Sequence, residues 1–154
     1  MPRILSHFGL LVATLVLVGA TVAPAYADGA ADIKTRQELM KSMGGKMKAL
    51  GAIMKGGDAS MLGDHTAELA AIAKKVGTVF PAGSGPEAGK TEALANIWTD
   101  PEGFNKTVAG LIAATENLAK VAASGDLQAT GAAMGMVGKD GCGACHKTYR
   151  MKKS

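Results

Sequence analysis

The sequence predicts an all-α protein, an antiparallel up-down-up-down bundle of four helices. Three observations lead there. Apolar residues recur at alternating steps of three and four along four separate stretches, the pattern of amphipathic helices. No stretch alternates with the period of two that a half-buried strand requires. The stretches are joined by two short connections and one longer one, and short connections make consecutive helices antiparallel neighbours.

The chain opens with MPRILSHFGLLVATLVLVGATVAPAYADGA, in which Arg3 precedes an apolar run from about Phe8 to Ala20. The run ends in AYA, with Ala25 and Ala27 at the small-residue positions that a signal peptidase reads. It is short for a membrane span of about 20 residues. Residues 1–27 are therefore expected to be a cleaved secretory leader, leaving 28–154 as one exported domain with no membrane span.

The first helix is expected from about Asp32 to Lys55. Seven-residue steps pick out Ile33, Met40, Met47 and Met54, with Arg36, Met43 and Leu50 interleaved. Arg36 is the one charged intruder on this seam. Gly56 and Gly57 end the helix, and Asp58 can cap the next. Its seam is Leu62, His65, Leu69, Ile72, Val76 and Val79. FPAGSGPEAGKTEALANIWTD then forms the long connection, with Trp98 expected in the loop and capping the core. TDPE starts the third helix, with Thr99 or Asp100 as cap and proline in the first turn. The seam of the third helix is Phe104, Val108, Leu111, Thr115, Leu118 and Ala122. SGD turns the chain into a fourth helix bearing Leu127, Thr130, Met134 and Val137. That helix also carries Gly131, Gly135, Gly138, Gly141 and Gly143, each costing roughly 1 kcal/mol relative to alanine.

Composition excludes several functions. The formal net charge is +4, about +3 without Arg3, and the basic residues are dispersed apart from Arg150, Lys152 and Lys153. Aromatics make up only 4% of the chain, too few for a stacking platform, so nucleic acid is not an expected partner. The charge suits acidic partners at most. No acid/base constellation, nucleophile elbow or phosphate loop is present, and Glu38 and Glu68 read as solvated faces. An enzyme acting on an organic substrate is not expected.

The chemistry is concentrated in GKDGCGACHKTYRMKKS, which holds both cysteines of the chain. A dithiol redox centre, part of a zinc site and a haem attachment point all fit the bare motif. A thioredoxin-type dithiol sits at a helix start after a strand, and no strand is expected here. Structural zinc needs four ligands, and beyond these three only His65 is left past the leader. Cys-x-x-Cys-His is also the motif for covalent haem, with Cys142 and Cys145 as thioether donors and His146 as an axial iron ligand. On an α-helix the three fall within an arc of about 100°. A large flat cofactor would also supply the apolar bulk that alanine-rich seams lack and explain the glycines.

The sixth iron position follows from bundle geometry. The end of the fourth helix lies beside the start of the first, placing His146 level with roughly Arg36 to Met43. Met47, Met54 and His65 lie too far along at 1.5 Å per residue. Met40 and Met43 remain. Arg36, one turn from Met40, needs a counter-charge, which a haem propionate would provide.

These residues resemble the class II cytochromes c, which comprise the cytochromes c′ and the low-spin cytochromes c-556. The resemblance rests on RQELMKSMGGKMKALGAIMKG, FPAGSG, IWTDPEGF and CGACHKTYR, and covers essentially the whole of residues 28–154. It implies one haem c, and it places Met40, four residues after Arg36, over the distal face as the iron ligand of a cytochrome c-556. It also implies that Arg150 screens a propionate or the surroundings of His146, and that Tyr149 packs near the haem edge. The implied function is a periplasmic carrier of single electrons between redox partner proteins. The alternative is five-coordinate iron that binds nitric oxide or carbon monoxide. The resemblance allows a monomer or a weak homodimer.

Haem should accordingly survive extraction with acidified solvent from the intact chain. Cys142→Ala combined with Cys145→Ala should release it, and release from the unaltered chain would overturn covalent attachment.

Overall fold

The computed structural model describes residues 28–152. The leader expected over residues 1–27, and Lys153 of the basic tail, lie outside the described residues. The first helix runs Gly29–Ile53, starting three residues earlier than its apolar seam suggested. Asp28 is the reason, since its carboxylate accepts hydrogen bonds from the backbone N–H of Ala30 and Ala31 at 3.1 and 3.2 Å. Gly56, at φ 94°, turns the chain after the helix.

The second helix is shorter than the seam implied. Asp58 caps a 3₁₀ turn, Ala59–Met61, which leads into the α-helix Leu62–Ala73. Val76 and Val79 lie on a separate 3₁₀ turn, Val76–Val79, although Val76 is still fully buried. Pro81 stops the helix from resuming beyond this turn, because proline lacks the N–H and restricts the residue before it.

Trp98, expected in a loop, lies on a single helical turn, Asn96–Thr99. Its indole N–H donates to the carbonyls of Phe80 and Pro81 at 3.2 and 2.9 Å. The third helix, Pro101–Ala122, begins as read: Asp100 accepts from the Gly103 N–H at 3.0 Å, and Pro101 fills the first position. Gly125, at φ 75°, makes the last turn, and Asp126 caps the fourth helix by accepting from the Ala129 N–H at 2.9 Å.

The fourth helix is not uniform. It is α-helical over Leu127–Met136, widens into a π-helix over Val137–Gly143, and returns to α-helix over Ala144–Tyr149. The sequence pattern did not reveal this change. Short π segments are uncommon and recur at functional sites, and this one contains the first cysteine.

The four helices form the expected bundle. The second packs along the third, the first along the second, and the third along the fourth. Leu50, Leu69 and Leu118 are fully buried at these seams, each worth about 1.5–3 kcal/mol relative to exposure. Thr66, Thr115 and Thr130 are buried too, and each donates its hydroxyl to a carbonyl one turn back in its own segment.

One end of the bundle is different in kind. Every aromatic ring of the described residues gathers there: Phe80, Trp98, Phe104 and Tyr149, linked by centroid distances of 4.9 to 6.3 Å. After Tyr149 the chain pairs with the long connection, through an isolated antiparallel bridge between Ala93 and Arg150. The Leu94 N–H donates to Tyr149 O at 3.0 Å, and the Met151 N–H donates to Glu92 O at 2.7 Å. No helix among the described residues is long and apolar enough to cross a membrane.

The glycines of this fold are not equivalent. A Cβ on Gly103 would collide with the Asp100 carboxylate and lie 2.7 Å from the Tyr149 hydroxyl, whereas a Cβ on Gly135 would meet nothing within 4 Å. Thermal unfolding should therefore show Gly135→Ala stabilised by up to about 1 kcal/mol. Gly103→Ala should be destabilised by about 1–3 kcal/mol despite alanine's higher helix propensity.

Candidate functional site

The first and fourth helices stand apart, and a cavity of about 320 Å³ lies between them. The first helix contributes Met40, Met43, Gly44 and Met47 to its wall; the fourth contributes Gly141, Cys142, Cys145 and His146; Val76 and Leu111 complete it. Met40 and Met47 are seven residues apart, so they point the same way about 10 Å from each other along the axis. Gly44 lies between them without a side chain, and a Cβ there would meet nothing within 4 Å. The result is an apolar slot with a thioether at each end.

Contact across the bundle fixes the register. Met54 Sδ lies 3.8 Å from where a Cβ of Gly131 would stand. Fourteen residues back along the first helix is about 21 Å; on the fourth helix, whose π segment advances less per residue, that distance reaches the Cys145–His146 turn, level with Met40. The sequence placed Met47 too far along to reach the site. The structure adds that the cavity spans two helical turns and includes Met47 in its wall.

The π segment changes how the fourth helix presents its glycines. Gly141 is buried, and a Cβ there would come within 2.9 Å of Leu111 Cδ1 on the third helix. Its small size therefore serves helix packing as well as the cavity. Gly135 and Gly138 face open space. Cys142 belongs to the π segment, while Cys145 and His146 belong to the final α-helical turns. All three still line one cavity.

Both cysteines are free and half-buried. Burial pushes both thiols above the ordinary cysteine range, partly offset at Cys145 by a hydrogen bond with Thr107. That is the opposite of the lowered pKa an activated redox dithiol needs. His146 is held below the usual histidine value, first by burial and then by the adjacent Arg150 cation, with Glu92 acting in opposition. Its imidazole is thus uncharged near neutral pH, with a lone pair available to a metal. His65 does not line the cavity; it is half-buried on the second helix, and its Nδ1 is buried without a hydrogen-bond partner.

The two sequence-predicted arginines have different positions. Arg150 donates from Nε to the Glu92 carboxylate at 2.7 Å, and its Nη1 lies 3.4 Å from His146 Nδ1. It therefore adjoins His146. Arg36 is buried but is not brought to the cavity wall. Its Nη1 donates to Val79 O and Ser84 Oγ at 3.3 and 3.2 Å, and its Nη2 donates to Ser84 O and Thr91 Oγ1 at 2.9 and 3.1 Å. Its guanidinium carbon stacks 4.6 Å from the Phe80 ring centroid and 5.8 Å from that of Trp98. Neutral acceptors and ring faces thus occupy much of the hydrogen-bonding capacity that the sequence reading assigned to a propionate. Tyr149 is buried in the aromatic cluster, not in the cavity wall, and its hydroxyl donates to Asp100 Oδ2 at 3.1 Å.

Sequence reasoning missed Gly44 and Met47 as cavity residues and Glu92 as the partner of Arg150. The seven-residue step from Met40 was a signal for Met47; nothing local pointed to Glu92.

The donor chemistry selects the cofactor that fits. Two neutral thiols and an uncharged imidazole face methionine thioethers across an apolar slot, which suits a flat macrocycle with a soft, nitrogen-coordinated iron. Fold and site together define a c-type cytochrome built on a helical bundle. Residues 31–150 match the family described as Cytochrome C′, and the chain belongs to that family.

Cytochrome c-556 of Agrobacterium tumefaciens (strain II Chrys) is 40% identical over 129 residues, covering 80% of this chain and all of the relative. Cytochrome c′ of Rhodospirillum rubrum is 34% identical over 143 residues, covering 92% of this chain and 96% of the relative. Among solved structures, the nitric oxide complex of a cytochrome c prime variant from Alcaligenes xylosoxidans superposes with a TM-score of 0.75 at 27% identity. It covers 83% of this chain and 99% of its own. The protein is thus an electron-transfer haem protein of this family, with covalently attached haem c.

The Arg36 contacts give a direct test. Arg36→Leu should cost about 3 kcal/mol in unfolding of the holoprotein, because it strands the buried acceptors of Ser84 and Thr91. Unchanged stability with a shifted midpoint potential would instead favour the propionate role.

Proposed function

We propose that the protein is an exported, periplasmic carrier of single electrons, with haem attached through Cys142 and Cys145 and with His146 and Met40 as the two axial ligands. The observation that carries this reading is the position of Met40. It shares the cavity with His146 and both cysteines, at the level of Cys145 on the facing helix. The bound iron supplies a one-electron ferric/ferrous couple, with thioether ligation favouring the ferrous state.

The residues of the chain have distinct tasks. The two thiols fix the cofactor permanently, so the carrier retains its redox centre when it leaves a partner. His146, uncharged and adjoined by Arg150, offers a neutral nitrogen. Met43 also lines the cavity but is buried at 5% exposure and packed into the core, whereas Met40 is only half-buried at the wall. Val76 and Leu111 add apolar side chains to the wall. Arg36 contributes through the loop that it organises, and a propionate contact would add to that.

A five-coordinate reading has its own support. A related protein was solved as a nitric oxide complex, and the slot beside Gly44 has room for a diatomic ligand. Iron with no sixth protein ligand would then capture nitric oxide or carbon monoxide instead of relaying electrons.

The two readings separate in the near infrared. Ferric holoprotein with methionine ligation should show a weak charge-transfer band. Met40→Ala should abolish it, convert the iron to high spin, lower the potential and allow carbon monoxide to bind. Met43→Leu should preserve the band, since the swap nearly conserves volume. Loss of the band in Met43→Leu alone would identify the wrong methionine, and ready carbon monoxide binding by the unaltered protein would support the gas-binding reading.

A further inference from the structure

The first helix carries a second heptad pattern that neither the core nor the cavity uses. Lys34, Lys41, Lys48 and Lys55 recur every seven residues, each directly following Ile33, Met40, Met47 and Met54. At 100° per residue the four fall within an arc of about 60°, spread over about 30 Å of helix. All four are exposed. The three ion pairs among the described residues are Lys46–Glu68, Lys74–Glu116 and Arg150–Glu92, so none of the four stripe lysines is neutralised by one.

The location of the stripe matters more than its count. Lys46, about 120° to one side of Met40 and Met47, pairs with Glu68 and so marks the side facing the second helix. The cavity-lining Met40, Gly44 and Met47 lie between that side and the lysines. Lys41 and Lys48 therefore stand on the opposite, solvent-facing lip of the cavity. Across the mouth, the fourth helix offers exposed Lys139 three residues before Cys142, and exposed Lys147 directly after His146. Two carboxylates are interspersed among them: Asp140 on the fourth helix, and exposed Glu38, one turn from both Lys34 and Lys41 on the first. Gly44, Gly45, Gly51 and Ala52 lie between the stripe lysines, so a partner surface can approach the backbone closely there.

We infer that this lysine-lipped mouth is the docking face for an acidic redox protein whose carboxylates pair with Lys41, Lys48 and Lys139. The inference rests on the electron-carrier reading and deepens it by naming the chemistry of the partner. Positive charge around a redox centre raises the encounter rate with an anionic partner and orients it. The same stripe repels a second copy of this chain on this face. A lipid surface is the weaker occupant, because no large apolar side chain punctuates the stripe to enter a bilayer.

The test uses ferrous holoprotein and plastocyanin, an acidic blue-copper protein, as the electron acceptor, with midpoint potentials measured alongside. At low ionic strength, Lys41→Glu with Lys48→Glu should slow the second-order transfer at least about tenfold and flatten its salt dependence. Lys106→Glu with Lys120→Glu, exposed on the third helix, makes the same change in net charge and should slow transfer less than threefold. Equal effects of the two pairs would reduce the stripe to net charge and overturn the docking face. So would an unaffected stripe variant, or a stripe required only for sedimentation with phosphatidylglycerol vesicles. Normal exchange with ferricyanide in those cases would leave the carrier reading standing; no exchange with either acceptor would overturn the carrier reading itself.

Discussion

A single buried cation organises the end of the molecule at which the site is built. Arg36 replaces an apolar residue on the core seam of the first helix, a position that costs several kcal/mol unless its donors are satisfied. Burial lowers its pKa, and Asp32 one turn earlier offsets part of that. Hydrogen bonds to Val79, Ser84 and Thr91, with Phe80 and Trp98 against its faces, fold the long connection around it. Thr91 is followed directly by Glu92, which holds Arg150, which in turn adjoins His146. A continuous set of polar contacts therefore runs from the first helix, through the loop, to His146. The aromatic cluster reinforces it from the core side, joining Phe80 to Phe104, Tyr149 and Asp100.

With that end fixed, the rest of the bundle can leave a gap. Buried leucines join the second helix to the first and third, while the first and fourth helices stand apart around the cavity. The interval is lined by thioethers, thiols and glycine, groups that neither fill it nor bring in water. A covalently attached haem supplies the missing apolar volume, so the cofactor belongs to the core as well as to the chemistry. The π segment sits where the fourth helix must pack Gly141 on Leu111 while presenting Cys142 to the cavity.

Most of this was legible in the sequence because it rests on periodicity and on one short motif. Heptad steps revealed the four helices, Asp58, Asp100 and Asp126 marked helix or turn starts, and Cys142–Cys145–His146 identified the cofactor. What was hidden depends on contacts between distant segments. The acceptors of Arg36 lie more than 40 residues away, so the seam showed a need for partners without naming them. Glu92 finds Arg150 across 58 residues. The reach of the cavity to Met47 depends on how two antiparallel helices align, which no local pattern shows. The π segment reads as helix in any local pattern.

Ligation of the iron by Met40 is the claim on which the functional class turns, and electron paramagnetic resonance of the unaltered ferric holoprotein at neutral pH tests it most directly. A low-spin spectrum as the sole species is the expected result, since an imidazole and a thioether together complete a strong axial field. A dominant high-spin spectrum would contradict it, leaving the sixth position without a protein ligand and the cavity beside Gly44 as a site for diatomic gases.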